Sequence, residues 1–137
     1  MSTSRDSVPT IPSSHRDILE SAQIVTLATI DPDGSPQVTA TWFVWEDDTL
    51  KLSLNSSRQK MKNLQRNPAL TAFFVDPATP YRTIELRGEA IIEEDDGYAV
   101  AQSVAKKYGS NPREMDQPGE QRLAVRLHVK KVNTFGN

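Results

Sequence analysis

The chain has 137 residues, 36% of them apolar and 25% charged, which fits one domain around one core and excludes both a disordered chain and a membrane protein. Its formal net charge of −2 gives no general affinity for nucleic acid or anionic membrane, and the absence of cysteine removes disulfides, thiolate metal sites and cysteine nucleophiles. No apolar run reaches the roughly 18 residues of a membrane-spanning helix, and the opening MSTSRDSVPTIPSSHRD has no stretch suited to a secretory signal, so a soluble, cytoplasmic protein is expected.

Residues 1–12 hold Ser, Thr and two prolines without periodicity and predict a flexible arm, leaving 13–137 as a single domain. Ser14 followed by Asp17 is a capping-box pattern ahead of Ile18 and Leu19, which predicts a short helix to about Ser21. Gln23 to Ile30 is rich in β-branched residues and stops at Asp31-Pro32-Asp33-Gly34, a strand and a hairpin turn. The return from Gln37 to Trp45 places Val38, Ala40, Trp42 and Val44 on one face, expected to be core, and Gln37, Thr39, Thr41, Phe43 and Trp45 on the other.

After the acidic turn Glu46-Asp47-Asp48, Leu50, Leu52 and Leu54 alternate with Lys51, Ser53 and Asn55 in the pattern of a half-buried strand. Ser57 is expected to cap a helix through Arg66, with Met61 and Leu64 facing the core and Asn67-Pro68 as the stop. Ala69 to Val75 predicts a strand, Asp76 to Pro80 a rigid loop, and Tyr81 to Ile92 a strand interrupted at Gly88 by a bulge or tight bend. Asp95 or Asp96 can cap a helix through Tyr108 that stops at Gly109; 111–120 reads as polar loop, and Leu123, Val125, Leu127 and Val129 line one face of a last strand. About six strands and three helices, with short connections, predict an antiparallel, mainly β (α+β) fold closed into a small barrel.

The familiar catalytic signatures are missing: no G-x-G-x-x-G, no G-x-x-x-x-G-K and no G-x-S-x-G. His15 and His128 have no ligand-spaced companions and read as ordinary surface or interface histidines, so no metal is expected. Charge, by contrast, is segregated. From Thr49 to Val75 there is no acid, while Lys51, Arg58, Lys60, Lys62 and Arg66 are cations, leaving 11 cations against 18 acids elsewhere. In Ser53-Leu-Asn-Ser-Ser-Arg-Gln-Lys60 a polar strand face runs into a helix start with two cations, where backbone N–H groups, hydroxyls, Arg58 and Lys60 can converge on a phosphate. The plainer alternative is a solvated basic helix face.

The run LATIDPDGSPQVTATWFVWEDDTLKLSLNSSRQKMKNLQRNPALTAFFVD, followed by PYRTIELRGEA, resembles the pyridoxamine 5′-phosphate oxidase-like family, and within it the branch that uses the deazaflavin coenzyme F420. The resemblance covers roughly residues 20 to 135 and rests on the strand, turn and "SRxK…NLxxNP" elements in order. It implies a six-stranded antiparallel split β-barrel with peripheral helices, of the FMN-binding split barrel type, paired into a homodimer with the cofactor in each inter-subunit cleft. It also implies that Arg58 and Lys60 bind the cofactor phosphate, with Ser53, Asn55 and Ser57 as nearby donors. Thr39, Ala40, Thr41 and Trp42 would run along the ring system, and Tyr81 and Arg82 would approach from the second subunit. By parity Trp42 is also a candidate core residue, its backbone serving the ring.

Two features set the chain apart from the oxidases that act on vitamin B6: Gln59 separates Arg58 from Lys60, and the sequence ends at Asn137 without their arginine-containing tail. The expectation is therefore a flavin-family oxidoreductase that passes hydride between F420 and a small organic acceptor, the cofactor carrying the chemistry. The alternatives are an FMN-binding flavoprotein of the same fold and a non-catalytic protein that binds or stores F420.

Overall fold

The structure, a computed structural model, describes residues 9–111 and 116–137. In chain order it contains α1 (Arg16–Ser21), β1 (Val25–Ile30), β2 (Pro36–Thr41), β3 (Val44–Glu46), β4 (Thr49–Asn55), α2 (Gln59–Arg66), β5 (Ala69–Val75), β6 (Thr83–Glu94), α3 (Ala99–Tyr108) and β7 (Arg122–Phe135). A 3-10 turn over Asp96–Tyr98 leads into α3. The strands pair antiparallel in one seven-stranded sheet, ordered β2-β1-β5-β6-β7-β4-β3.

This sheet coils as a split barrel that is not closed by hydrogen bonds: β2 and β3 are its two edges, yet only Trp42 and Phe43 separate them in the chain. The single strand expected over Gln37 to Trp45 is therefore two strands, and the strand count is seven rather than six. The break has a cause in the pairing. β1 accompanies β2 only as far as Val25 opposite Thr41, and β3 then finds β4 instead, through Val44 opposite Lys51.

The core expectation for β2 is reversed as well. Val38 is 61% exposed and Ala40 is exposed, whereas Gln37, Thr39 and Thr41 are half-buried. Opposite residues of an antiparallel pair share a face, and Leu27 lies opposite Thr39 and Val25 opposite Thr41. The buried face of β1, Val25 and Leu27, thus turns the polar side of β2 inward. Trp42 is half-buried and outside the core, while Phe43, assigned to the other face, is fully buried.

Leu50, Leu52 and Leu54 of β4 pack with Leu70 and Phe74 of β5, Ile84 and Leu86 of β6, Val125 and Leu127 of β7, Ile18 and Leu19 of α1, and Met61 and Leu64 of α2. Each such side chain contributes roughly 1.5–3 kcal/mol of transfer free energy, offset by the entropy of ordering. Ile11 packs against this core, while residues 1–8 of the expected arm and 112–115 of the expected loop lie outside the described residues.

The turn between β3 and β4 has Asp47 and Asp48 at φ 55° and 54°, the left-handed pair that a two-residue hairpin loop requires. At Gly88 the interruption is a register shift: Arg87 faces Lys131 and Gly88 faces Val129, so Lys130 of β7 is the extra residue. A Cβ on Gly88 would lie 1.9 Å from the His128 carbonyl oxygen, which explains the glycine.

Several local expectations give way to tertiary contacts. Ser14 and Asp17 form no capping box: Ser14 Oγ donates to His15 Nδ1 (2.8 Å), His15 Nε2 donates to Phe135 O (3.0 Å), and Asp17 pairs with Arg82. His15 is buried by these bonds rather than lying at the surface. Nor does Ser57 cap α2, whose N-cap is Arg58. Asp95 does serve α3, accepting from the N–H groups of Val100 and Ala101 at 2.9 Å each. Among the described residues no helix is long and apolar enough to cross a membrane.

Candidate functional site

The split creates the site. β4 pairs with β7 along Lys51–Asn55 but with β3 only along Thr49–Lys51, so the second edge of β4 is unpaired from Leu52 onward. A cleft of about 480 Å³ opens there, lined by Gln37, Thr39, Ala40 and Thr41 of β2, Ser53, Leu54 and Asn55 of β4, Arg58, Gln59 and Lys60 at the start of α2, and Arg122 of β7. A larger hollow, about 690 Å³, lies beside the 3-10 turn, but among the described residues its lining offers the carboxylates of Asp116 and Glu120 and no cation.

α2 is held in place by Asn63, a fully buried polar residue on a face otherwise anchored by Met61 and Leu64. Its Nδ2 donates to Thr29 Oγ1 (3.0 Å) and Asp31 Oδ1 (2.9 Å), and its Oδ1 accepts from Gln59 (2.8 Å) and Arg66 (3.3 Å). Every hydrogen-bonding position of the amide is used, as a buried amide demands.

This docking presents the first turn of α2 to the cleft. The N–H groups of Met61 and Lys62 both reach Arg58 O, but those of Gln59 and Lys60 have no acceptor among the described residues. Lys60 Nζ crosses the cleft to donate to Thr39 Oγ1 at 3.1 Å. Burial, then the Arg58 guanidinium beside it, pushes the Lys60 ammonium below the usual lysine range. No described carboxylate forms an ion pair with Arg58 or Lys60.

Of the residues singled out by sequence, Thr39, Ala40, Thr41, Ser53, Asn55, Arg58 and Lys60 line this one cleft. Ser57 stands just outside, with Oγ 2.7 Å from Asn55 Oδ1 and 3.0 Å from Glu120 Oε2. Asn55 Nδ2 donates to Asp116 (3.1 Å) and Glu120 (2.9 Å). Trp42 lies beyond the cleft lining, stacked on Tyr108. Tyr81 and Arg82 are not at the cleft of their own chain: Tyr81 is 78% exposed, and Arg82 is held by Asp17, Asp76 and Ser14 O.

The basic stretch does not converge as a whole. Lys51 pairs with Asp47 at 2.9 Å beside the β3–β4 turn, and Arg66 donates to Ile30 O at the far end of α2. The third cation of the cleft is Arg122, which sequence reading passed over; its Nε bonds Asp116 at 2.9 Å and its NH1 bonds Ser53 O at 3.1 Å. Gln37 and Gln59 were also missed. The alternation of the last strand marks Arg122 as polar-facing, but only the pairing of Asn55 with Arg122 brings it to the site.

A seven-stranded split barrel whose cleft is lined by Arg58, Lys60 and Arg122 defines the class. The family model for pyridoxamine 5′-phosphate oxidase matches residues 11–136, and the chain belongs to that family. No curated protein sequence matches it. Among solved structures, an F420 reductase matches with a TM-score of 0.78 and 30% identity, covering 90% of this chain and 98% of the other. A conserved hypothetical protein from Mycobacterium tuberculosis matches with a TM-score of 0.77 and 27% identity over 93% of this chain and 86% of the other. General Stress Protein 26 from Bacillus anthracis, at 18% identity and a TM-score of 0.67 over 88% and 90%, shares the fold. The family and the likeness to an F420 reductase support an oxidoreductase of the flavin or F420 type.

Proposed function

We propose that the chain is an F420-dependent oxidoreductase that holds the coenzyme in the cleft between β2, β4 and α2 and passes hydride between it and a small organic acceptor. The observation that carries this reading is the end of the cleft at α2, where Arg58, half-buried Lys60 and two N–H groups without an acceptor among the described residues come together, and where no described carboxylate forms an ion pair with either cation, Glu120 being held by Asn55 and Ser57 at the edge of Arg58's field. Donors of that kind fit a phosphate: the helix terminus favours an anion, Arg58 offers a fork and Lys60 a point charge. When bound, F420 supplies the hydride from C5 of its deazaflavin ring.

The residues of the chain bind and orient. Thr39, Ala40 and Thr41 form the wall along which the ring system lies, with the Trp42 peptide at its end, and Ser53 adds a hydroxyl on the other side, while the donors of Asn55 and Ser57 are already engaged with each other, Asp116 and Glu120. A second copy of the chain completes the cleft. Val38, Phe73, Val75 and Ile24 are 61%, 38%, 39% and 48% exposed and project from the outer face of the β2-β1-β5 end of the sheet. An apolar face of this kind favours burial against a partner. In this reading Tyr81, exposed at the sheet corner that Arg82 ties to Asp17 and Asp76, approaches the partner's cleft.

Titration of the purified protein with F420 and with FMN tests the cofactor; F420 is expected to bind more tightly. Mixing with reduced F420 and quinones or unsaturated ketones should then return the absorbance of the oxidised coenzyme. Stoichiometric FMN that F420 does not displace would refute the assignment, and binding without turnover would reduce it to a carrier.

A further inference from the structure

Trp42 and Phe43 lie where the chain passes from one edge of the sheet to the other. Phe43 is fully buried, its ring edge-on to Phe74 with centroids 5.1 Å apart, yet it belongs to no strand, so its N–H and C=O have no ladder partners. Buried backbone groups must find partners elsewhere. The last two residues of α3 supply them. Phe43 N–H donates to Tyr108 Oη at 3.3 Å, and Lys107 Nζ donates to Phe43 O at 3.0 Å. The single phenolic hydrogen goes to Gln23 O at 2.7 Å, since Phe43 O is farther at 3.4 Å.

The aromatic contacts have the same address. Tyr108 stacks on Trp42 with centroids 4.5 Å apart and planes 3° from parallel, and Lys107 Nζ lies 3.6 Å from the Phe43 ring centroid. The rest of α3 is attached to the opposite wall: Ala101, Val104 and Ala105 are buried as the helix packs on β4. Gly109, at φ +67°, stops the helix directly after Tyr108. One helix therefore grips β4 with its apolar face and, with its last two side chains, the lead-in to β1 and the exit from β2.

We propose that Tyr108, with Lys107, is a positioning pair that fixes the separation of the β2 and β4 walls and so the seat of the ring system between them. The ligand named in this inference rests on the F420 reading; the clasp itself does not.

Tyr108→Phe removes the hydroxyl and keeps the stacked ring, and Lys107→Met removes the ammonium and keeps the stem. Inorganic phosphate needs only the α2 end of the cleft, whereas F420 needs both walls. Expected for each variant is phosphate affinity within about twofold of the parent and F420 affinity at least about tenfold weaker, since small misplacements of a binding wall are costly. In the ligand-free protein, amide exchange over β2 should quicken by about tenfold while β5, β6 and β7 keep their rates, the mark of local rather than global opening. Unchanged exchange in β2, or exchange that quickens in every strand alike, overturns the proposal. So does an F420 affinity that stays at the parent value or falls together with that for phosphate. If the parent binds phosphate but not F420, the cofactor reading fails and the exchange measurement decides the clasp alone. Should Tyr108→Phe not fold, Lys107→Met carries the same expectations.

Discussion

Arg58 and Lys62 both belong to the basic stretch, but their surroundings separate them. Arg58 lines the cleft at the open turn of α2, whereas Lys62 is exposed and outside its lining. Arg58→Ala should weaken binding of the phosphorylated cofactor by about 1.5–3 kcal/mol, the scale of a lost charge-assisted hydrogen bond, and Lys62→Ala by about 0–1 kcal/mol. Isothermal titration of the two variants checks this; equal losses would describe a diffuse basic surface. Lys60 makes a prediction in pH. Its pKa is lowered by burial and by Arg58, and a bound dianion would raise it again, so binding takes up a proton at pH values between the free and the bound pKa. Affinity should fall as pH rises through the lowered pKa, beginning below the ordinary lysine range, and Lys60→Gln should flatten the profile. For stability the sign is opposite: the folded pKa lies below the unfolded one, so the unfolded chain binds more protons and stability rises with pH across that window.

Helix α2 is positioned by one buried amide as much as by its apolar residues. Asn63→Ala leaves Thr29 and Asp31 without their Asn63 donor and frees Gln59 at the cleft. The expected cost is about 2–3 kcal/mol, measured by urea unfolding, with cofactor affinity falling more than for a surface change. Sequence made this helix legible through Met61 and Leu64 and through the proline after it, and the NLxxNP element includes Asn63, but its residue pattern gave no sign that Asn63 is buried and central, because an asparagine on a polar helix face looks like any other. β2 shows the same limit more sharply. Its alternation was evident, but which face turns inward depends on the register with β1, and Val25 opposite Thr41 is a long-range fact. Caps failed where tertiary partners outbid local ones: Asp17 was taken by Arg82, and Ser57 lies beside Asn55 and Glu120. Arg58 and Lys60 of the "SRxK" element do line one cleft, because their placement is local to one strand end and one helix start.

At the scale of the molecule, the proposed function sets a second copy of the chain against the exposed apolar outer face of β2, β1 and β5. Light scattering at micromolar concentration should give twice the chain mass. Val38→Asp, introducing a charge on the most exposed aliphatic residue of that face, should shift the protein toward monomer and weaken cofactor binding together, while circular dichroism stays that of the parent. A monomer that binds cofactor tightly would end the shared-cleft reading.

The long strand β7 ties this architecture to the order in which the chain is made. β4 forms a hairpin with β3 over three pairs, but its extended partner is β7, with Lys51 opposite Arg126 and Asn55 opposite Arg122, about 70 positions later in the sequence. Closing so long a loop is slow relative to closing a hairpin. During synthesis the β1-β2 wall can assemble early, but the wall that carries Ser53, Leu54 and Asn55 gains its main support only when residues 122–126 have left the ribosome. Assembly of the cleft thus waits for β7: a molecule halted or clipped before that strand can own a β1-β2 hairpin and still lack a supported β4 wall.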